Sequence, residues 1–180
     1  STLRALLLRA RDASPLVRRA ALDGVRAILE AFPVDTRAQA AFLGAVLPQC
    51  ADAEAAGFDV ITTADHIGVD GGSPLILLAK IAGATSTIRL GTMVINNDMR
   101  NPVQLAWEAI TLHRLSGGRF ELGLGAGHTP HEYTETGITR DDAATRKARL
   151  REAVEIVAPR GRGGTVDHSG VHFQVSQGSL

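Results

Sequence analysis

Cysteine occurs once in the 180 residues, at position 50, so an internal disulfide is impossible and a reducing cytoplasm is the simplest setting. A lone Cys50 on a helical stretch reads as a small hydrophobe rather than a nucleophile. Aromatic residues make up 4% of the chain, too few for the stacking platforms of a single-strand nucleic-acid binder. Neither sign of charge is in excess: 19 basic and 19 acidic residues cancel, leaving no field to hold nucleic acid or an anionic membrane surface. No apolar run approaches the roughly 18 residues of a membrane span. The opening stretch Leu3, Arg4, Leu6, Leu7, Leu8, Arg9 and Arg11 has the cadence of a transit peptide, but Asp12 and Asp23 follow. An amphipathic surface helix is the better reading. Metal-ligand spacing is missing as well. His128 and His131 with Glu132, or His168 with His172, find no third and fourth ligand at diagnostic intervals.

What remains is a chain with 44% hydrophobic residues, enough to bury a substantial core. Residues 2 to 31 read as one or two helices broken at Ser14-Pro15, and the segment 1–36 stands apart from the rest of the chain as a helical extension. Ala38 to Ala56 is an alanine-rich helical run that Pro48 should kink or split, with Gly57 as its cap. Phe58 to Thr63 is the first convincing strand, and it runs into Ala64-Asp65-His66. After a loop with Asp70-Gly71-Gly72, Ser73-Pro74 opens a helix to about Ala84 with Leu75, Leu78, Ile81 and Ala82 inward.

Ile88 to Gly127 then forms one complete strand–helix–strand unit. Ile88 to Ile95 has the continuous aliphatic pattern of a strand covered on both faces. Asn96, Asn97 and Asp98 mark its end, and Asn101-Pro102 with Gln104 supplies an N-cap, a first-turn proline and a capping amide. The stripe expected to be buried on this helix is Val103, Ala106, Trp107 and Ile110, and Ser116-Gly117-Gly118 ends it. Phe120 to Leu124 resumes the buried strand, and Gly125, Ala126 and Gly127 leave its end almost without side chains. A long helix from about Arg140 to Val157 carries Leu150, Val154 and Val157 at helical spacing, with charges such as Arg151 and Glu155 on a solvated face. The glycine-rich tail from Gly161 holds short alternating pieces suited to a hairpin.

Strands begin near residues 58, 88 and 119, about thirty apart, which is the period of parallel βαβ architecture. In a doubly wound sheet and in a (βα)8 barrel alike, ligands gather at the carboxyl ends of the strands. Asp65-His66, Asn96-Asn97-Asp98 and Gly125-Ala126-Gly127-His128 therefore share one face although the sequence separates them. His66 has the chemistry of a general acid or base, against the alternative of a surface histidine beside a capping aspartate. Asn96-Asn97-Asp98 serves either as ligand contact or as a strand-to-helix turn. Gly123, Gly125 and Gly127 do not make a dinucleotide fingerprint, because His128 stands where the third glycine belongs.

The segments AEAAGFDVITTADHIG, ATSTIRLGTMVINNDMRNPVQLAWEAITLHRLSGGRFELGLGAGHTPHEY and RKARLREAVEIV, in that order, resemble the bacterial-luciferase-like flavin-dependent oxidoreductases. More narrowly they resemble the members that use the deazaflavin F420, with FMN-dependent monooxygenases as the alternative. The resemblance covers roughly Ala51 to Val175 and implies an α/β fold, a partial TIM-type (βα)8 sheet of about half a barrel over residues 37–180. It implies hydride transfer between deazaflavin C5 and a small organic substrate. Residue by residue, His66 corresponds to the family's active-site histidine, with Asp65 beside it. Asn96 and Asn97 fall where the family often has a non-proline cis peptide against the cofactor ring. Gly125, Ala126 and Gly127 match the small residues under the ring, and Glu132 matches a loop acid near the pocket.

The family's first barrel strand has no counterpart before Phe58, and the match ends near Val175, whereas a full barrel takes about 250 residues. A piece of a longer chain, a short natural relative, or two chains that complete one another are the three alternatives. In each, open sheet edges need cover, so a homo-oligomer is expected. A catalytically silent half-barrel with an assembly role is the reading from a different class.

Overall fold

The computed structural model of the chain describes residues 36–67 and 72–178. The chain divides into two compact units, Ser1–Ala45 and Val46–Leu180. The helices expected over residues 2 to 31 and the loop residues Asp70 and Gly71 lie outside the described residues.

Helix α1 (Thr36–Ala55) contains Pro48 and is not split by it. Gly57, at φ +82°, turns the chain toward strand β1 (Val60–Thr63), two residues shorter than the run from Phe58 suggested. Helix α2 (Pro74–Ala82) buries Leu78, Ile81 and Ala82 as its spacing predicts, whereas the expected Leu75 is only partly buried and Pro74 is buried instead. The strand expected from Ile88 to Ile95 is interrupted: β2 (Arg89–Thr92) and β3 (Ile95–Asn96) flank a cis peptide at Met93–Val94. The third strand is interrupted at the same level, into β4 (Phe120–Glu121) and β5 (Leu124–Gly125). Gly123 explains the paired break. A Cβ there would overlap the Thr92 carbonyl, and the Thr92 hydroxyl stitches the gap, donating to Gly123 O at 3.0 Å and accepting from Gly123 N at 3.0 Å.

All barrel-type pairings are parallel. β1 aligns Val60 with Arg89 of β2, β2 aligns Leu90 with Phe120 of β4, and β3 aligns Ile95 with Leu124 of β5. The result is an α/β fold with a partial parallel sheet, and no barrel closes among the described residues. Its main core joins Leu78 and Ile81 of α2, Ile88, Leu90, Phe120, and Ala109 and Leu112 of the next helix.

That helix, α3 (Pro102–Leu115), starts on Asn101, whose Oδ1 accepts from Val103 N at 2.9 Å and Gln104 N at 3.3 Å. It ends in Gly117 and Gly118, both at positive φ. Its buried stripe is Leu105, Ala106, Ala109 and Leu112 rather than the expected one, and Trp107 is 62% exposed. Helix α4 (Pro130–Thr136) buries Glu132 and Tyr133. Helix α5 (Ala143–Gly161) is capped by Asp142 and buries Arg146, Ala153, Ile156 and Arg160, leaving Val154 exposed. The tail forms the expected hairpin, β6 (Val166–Ser169) antiparallel to β7 (Gln174–Gly178). Glu152 of α5 seats it by accepting from the backbone N–H groups of Val171, His172 and Phe173 at 3.0 to 3.1 Å.

The amino ends of the strands are locked separately. Glu54 accepts from the N–H groups of Ser86, Thr87 and Ile88. Arg119 donates to the carbonyls of Ala82, Thr85, Ile88 and Ser116. The carboxyl ends of the strands carry a second set of polar side chains.

Candidate functional site at the carboxyl ends of the strands

β1 runs on into Asp65-His66, β3 ends in Asn96 and β5 in Gly125, so the parallel sheet delivers all three segments to one rim. His66 is 38% exposed at its side chain, and its Nδ1 lies 2.6 Å from Oε1 of Glu132, whose side chain is 3% exposed. A carboxylate only accepts, so Nδ1–H donates and Nε2 is the ring nitrogen left for proton exchange. The His128 ring stands edge-on to His66 with centroids 5.8 Å apart. The first turn of α4, one of the helix ends where an acid is favoured, carries Glu132 into this contact.

Asp65 faces another way. Its Oδ2 accepts from Asn96 N at 2.9 Å and its Oδ1 takes Arg100 Nη2 at 2.7 Å. Both oxygens are thus engaged in tying the end of β1 to the end of β3. The resemblance places a cis peptide near Asn96 and Asn97, but the cis bond lies upstream at Met93–Val94. Asn96 instead ends the strand as a cap, its Oδ1 accepting from Asp98 N at 3.1 Å.

The two asparagines are the anomaly of the site. Asn96 Nδ2 and both side-chain polar atoms of Asn97 are buried with no hydrogen-bond partner among the described residues. An unmade buried hydrogen bond costs on the order of 1–3 kcal/mol, so each of these atoms would be stabilised by a polar partner beyond the described residues. Gly125 and Gly127 complete the rim. A Cβ at Gly127 would strike both the Tyr133 hydroxyl and the Asn96 side chain, and its φ of +73° is one that other residues rarely adopt. A Cβ at Gly125 would strike the Val94 side chain, so glycine leaves room for it there.

Sequence reasoning missed the charged network beneath. Tyr133 donates to Asp98 Oδ2 at 2.9 Å, and Asp98 Oδ1 accepts from Arg149 Nη1 at 2.9 Å. Arg149 also pairs with Asp141. Burial, then Asp98, pushes the Tyr133 hydroxyl above its usual range, so it stays a donor. The hydrogen bond that Arg149 donates to Asp141 foremost raises the guanidinium, which stays a cation against the burial that opposes it. The only local signal was an arginine at a helical position that the spacing assigned to solvent.

The residues present suit a flat polar heterocycle: buried amide groups without partners among the described residues, exposed Met93 and Val94 near the glycines of the strand ends, and a histidine whose Nδ1 is held by a carboxylate. Of the residues singled out from the sequence, His66 and Glu132 are brought into contact. Asn96, Gly127 and Tyr133 converge, while Asp65 is directed into the scaffold. Among the described residues no group of three or more His, Cys, Asp and Glu could hold a metal ion, and no helix is long and apolar enough to cross a membrane.

Comparison with known proteins places the chain among related sequences. The family description "luciferase-like monooxygenase" matches residues 27–180. An F420-dependent glucose-6-phosphate dehydrogenase of Kineococcus radiotolerans is 39% identical over 112 residues, covering 58% of this chain and 33% of that protein. A 4-hydroxyprotoasukamycin monooxygenase of Streptomyces nodosus subsp. asukaensis is 36% identical over 104 residues, covering 56% and 27%. The solved structure of an F420-dependent secondary alcohol dehydrogenase with an F420–acetone adduct superposes with a TM-score of 0.66 at 25% identity, covering 74% of this chain and 43% of that one. The matched part thus spans about a third of the length of these curated relatives.

Proposed function

Because the chain belongs to the luciferase-like monooxygenase family, we propose that its strand-end rim is the ring-binding face of an F420-dependent oxidoreductase acting on a small organic alcohol or its carbonyl product. The observation that carries this reading is the His66–Glu132 pair at 2.6 Å at the carboxyl ends of the strands. Two of the relatives above are named for F420 and for alcohol-bearing substrates, which supports the deazaflavin over FMN and makes alcohols the class to try first.

A bound deazaflavin would supply the hydride acceptor or donor. The chain's own contribution is to hold it and to handle the proton. Asn96 Nδ2 and the Asn97 amide would hold the polar edge of the ring, while Gly125, Ala126 and Gly127 keep the backbone low enough for the ring to lie against it. His66 Nε2 accepts the hydroxyl proton as an alcohol becomes a carbonyl and returns it in the reverse direction. Glu132 fixes the ring through Nδ1 and favours the imidazolium that forms.

The reading with FMN and oxygen, supported by the name of the Streptomyces relative, keeps the same ring-binding face and changes the cofactor. A silent half-barrel is the reading from another class. In the oxidoreductase reading, the edges of β1 and β4, unpaired among the described residues, need cover, and a homo-oligomer is one arrangement that would supply it.

The test uses F420 absorbance with glucose 6-phosphate and a secondary alcohol as first substrates. His66→Ala is expected to lower turnover by about a hundredfold or more while leaving F420 affinity within about threefold. Turnover equal to that of the unaltered chain would remove His66 from the chemistry.

A further inference from the structure

His128 stands at the strand-end rim beside His66 and takes no part in the hydrogen bond between His66 and Glu132. It follows Gly127, whose positive φ and close packing against the Tyr133 hydroxyl and the Asn96 side chain fix where the chain turns. The residue is exposed, and its ring stands edge-on to that of His66, with centroids 5.8 Å apart and planes at 81°. Arg140 Nη2 donates to its carbonyl at 3.4 Å, so the backbone is held as well.

The next residue anchors the ring. Thr129 is the N-cap of α4, where a threonine hydroxyl ordinarily accepts from a backbone N–H of the first turn. Here the hydroxyl makes no such bond and lies 3.2 Å from Nε2 of His128 instead. The helix forgoes a side-chain cap, and the imidazole is oriented by it. Nδ1 of His128 is left without a hydrogen bond among the described residues. His66 has the complementary arrangement, Nδ1 held by Glu132 and Nε2 open. Two neighbouring imidazoles thus each have one nitrogen tied to the protein and one available to a ligand oxygen at about 2.9 Å.

Resting on the alcohol-oxidising role proposed above, we infer that His128 sets the substrate class: a vicinal diol, with the reacting hydroxyl on His66 Nε2 and its neighbour on His128 Nδ1. Rings in edge contact suit oxygens on adjacent carbons, and an alcohol with a single hydroxyl leaves His128 Nδ1 to water. A hydroxyl both donates and accepts, so it satisfies either tautomer of His128, which a carboxylate does not. A site that hydrogen-bonds a second hydroxyl discriminates against the analogue that lacks it. Thr129 acts through His128 and is a positioning residue for this contact.

The test compares cis-1,2-cyclohexanediol with cyclohexanol as reductants of F420 in the presence of the full chain. kcat/KM is expected to be about tenfold or more higher for the diol. His128→Phe keeps an aromatic ring against His66 and removes the nitrogen, so it should lower kcat/KM for the diol about tenfold more than for cyclohexanol. Thr129→Val should weaken the preference, and Thr129→Ser, which keeps a hydroxyl for Nε2, should retain it. A merely structural role for His128 would lower both substrates by the same factor. That result, or equal kcat/KM for the two alcohols in the unaltered chain, would overturn the assignment of His128 and leave the oxidoreductase reading in place. Absence of F420 reduction with either alcohol would overturn both.

Discussion

Both carboxylate oxygens of Asp65 are engaged, one by the Asn96 N–H and one by Arg100, so its work is to join two strand ends at the height where His66 emerges. Removing one member of a buried, hydrogen-bonded ion pair leaves the other uncompensated. Asp65→Ala is therefore expected to destabilise the fold by about 3 kcal/mol in urea unfolding, with Asp65→Asn milder because it keeps an acceptor for Asn96 N. A change below about 0.5 kcal/mol would show that β1 and β3 are held together without it. At this scale the position of His66 beyond the end of β1 was legible from the strand pattern, and Glu132 was singled out only through the family's motifs; their contact at 2.6 Å was not foreseen. The Asp98–Arg149 pair was not, because it closes over 51 residues and nothing local distinguishes Arg149 from the solvated charges around it.

Among the elements, caps were legible and faces were not. Asn101 and the Gly117-Gly118 stop bound α3 where their chemistry says they should, since capping depends on a few adjacent atoms. The buried face of α3 was placed one position off. Val103, Ala106, Trp107, Ile110 and Leu105, Ala106, Ala109, Leu112 are both helical stripes, and the bulk of Trp107 favoured the wrong one. In α5 the buried face includes Arg146 and Arg160, which no apolar periodicity reports.

Element contacts also set the acid behaviour. The N–H groups of Ile88, Thr87 and Ser86 hold the Glu54 carboxyl at about 2, against an ordinary value of about 4.3 in an unfolded chain. At Glu152, burial raises the carboxyl, but the N–H of His172, then His168, Phe173 and Val171 outweigh it and hold it at about 2 as well. The folded state thus binds these protons more weakly than the unfolded one. Their stabilisation is complete above about pH 4.5 and is lost as the pH falls toward 2. Urea midpoints measured from pH 6 down to 2.5 should decline in that window. Glu54→Gln should be less stable at pH 7 and show a shallower decline, keeping the part due to Glu152. A parallel decline in the variant would mean that the α1 to β2 junction does not depend on this carboxylate.

At the scale of the molecule, the sheet has a locked end and, in the proposed reading, a working face. Glu54 and Arg119 bind the amino ends of the strands into the scaffold, while the carboxyl ends carry the histidine pair, the unpartnered amides and the glycines. The period of about thirty residues and the family's motifs made this arrangement readable in advance. The doubled strand breaks at Met93–Val94 and Gly123 were not, because they arise from contact between two strands rather than from either one alone. The central claim, that the working face receives a deazaflavin ring, is tested most directly by titrating the full chain with F420 and with FMN by fluorescence while its mass in solution is followed. Saturable binding by an oligomer, tighter for F420 and weakened about tenfold or more by Asn97→Ala, is the expected result. Failure of both cofactors to bind in any assembly state of the chain would contradict it.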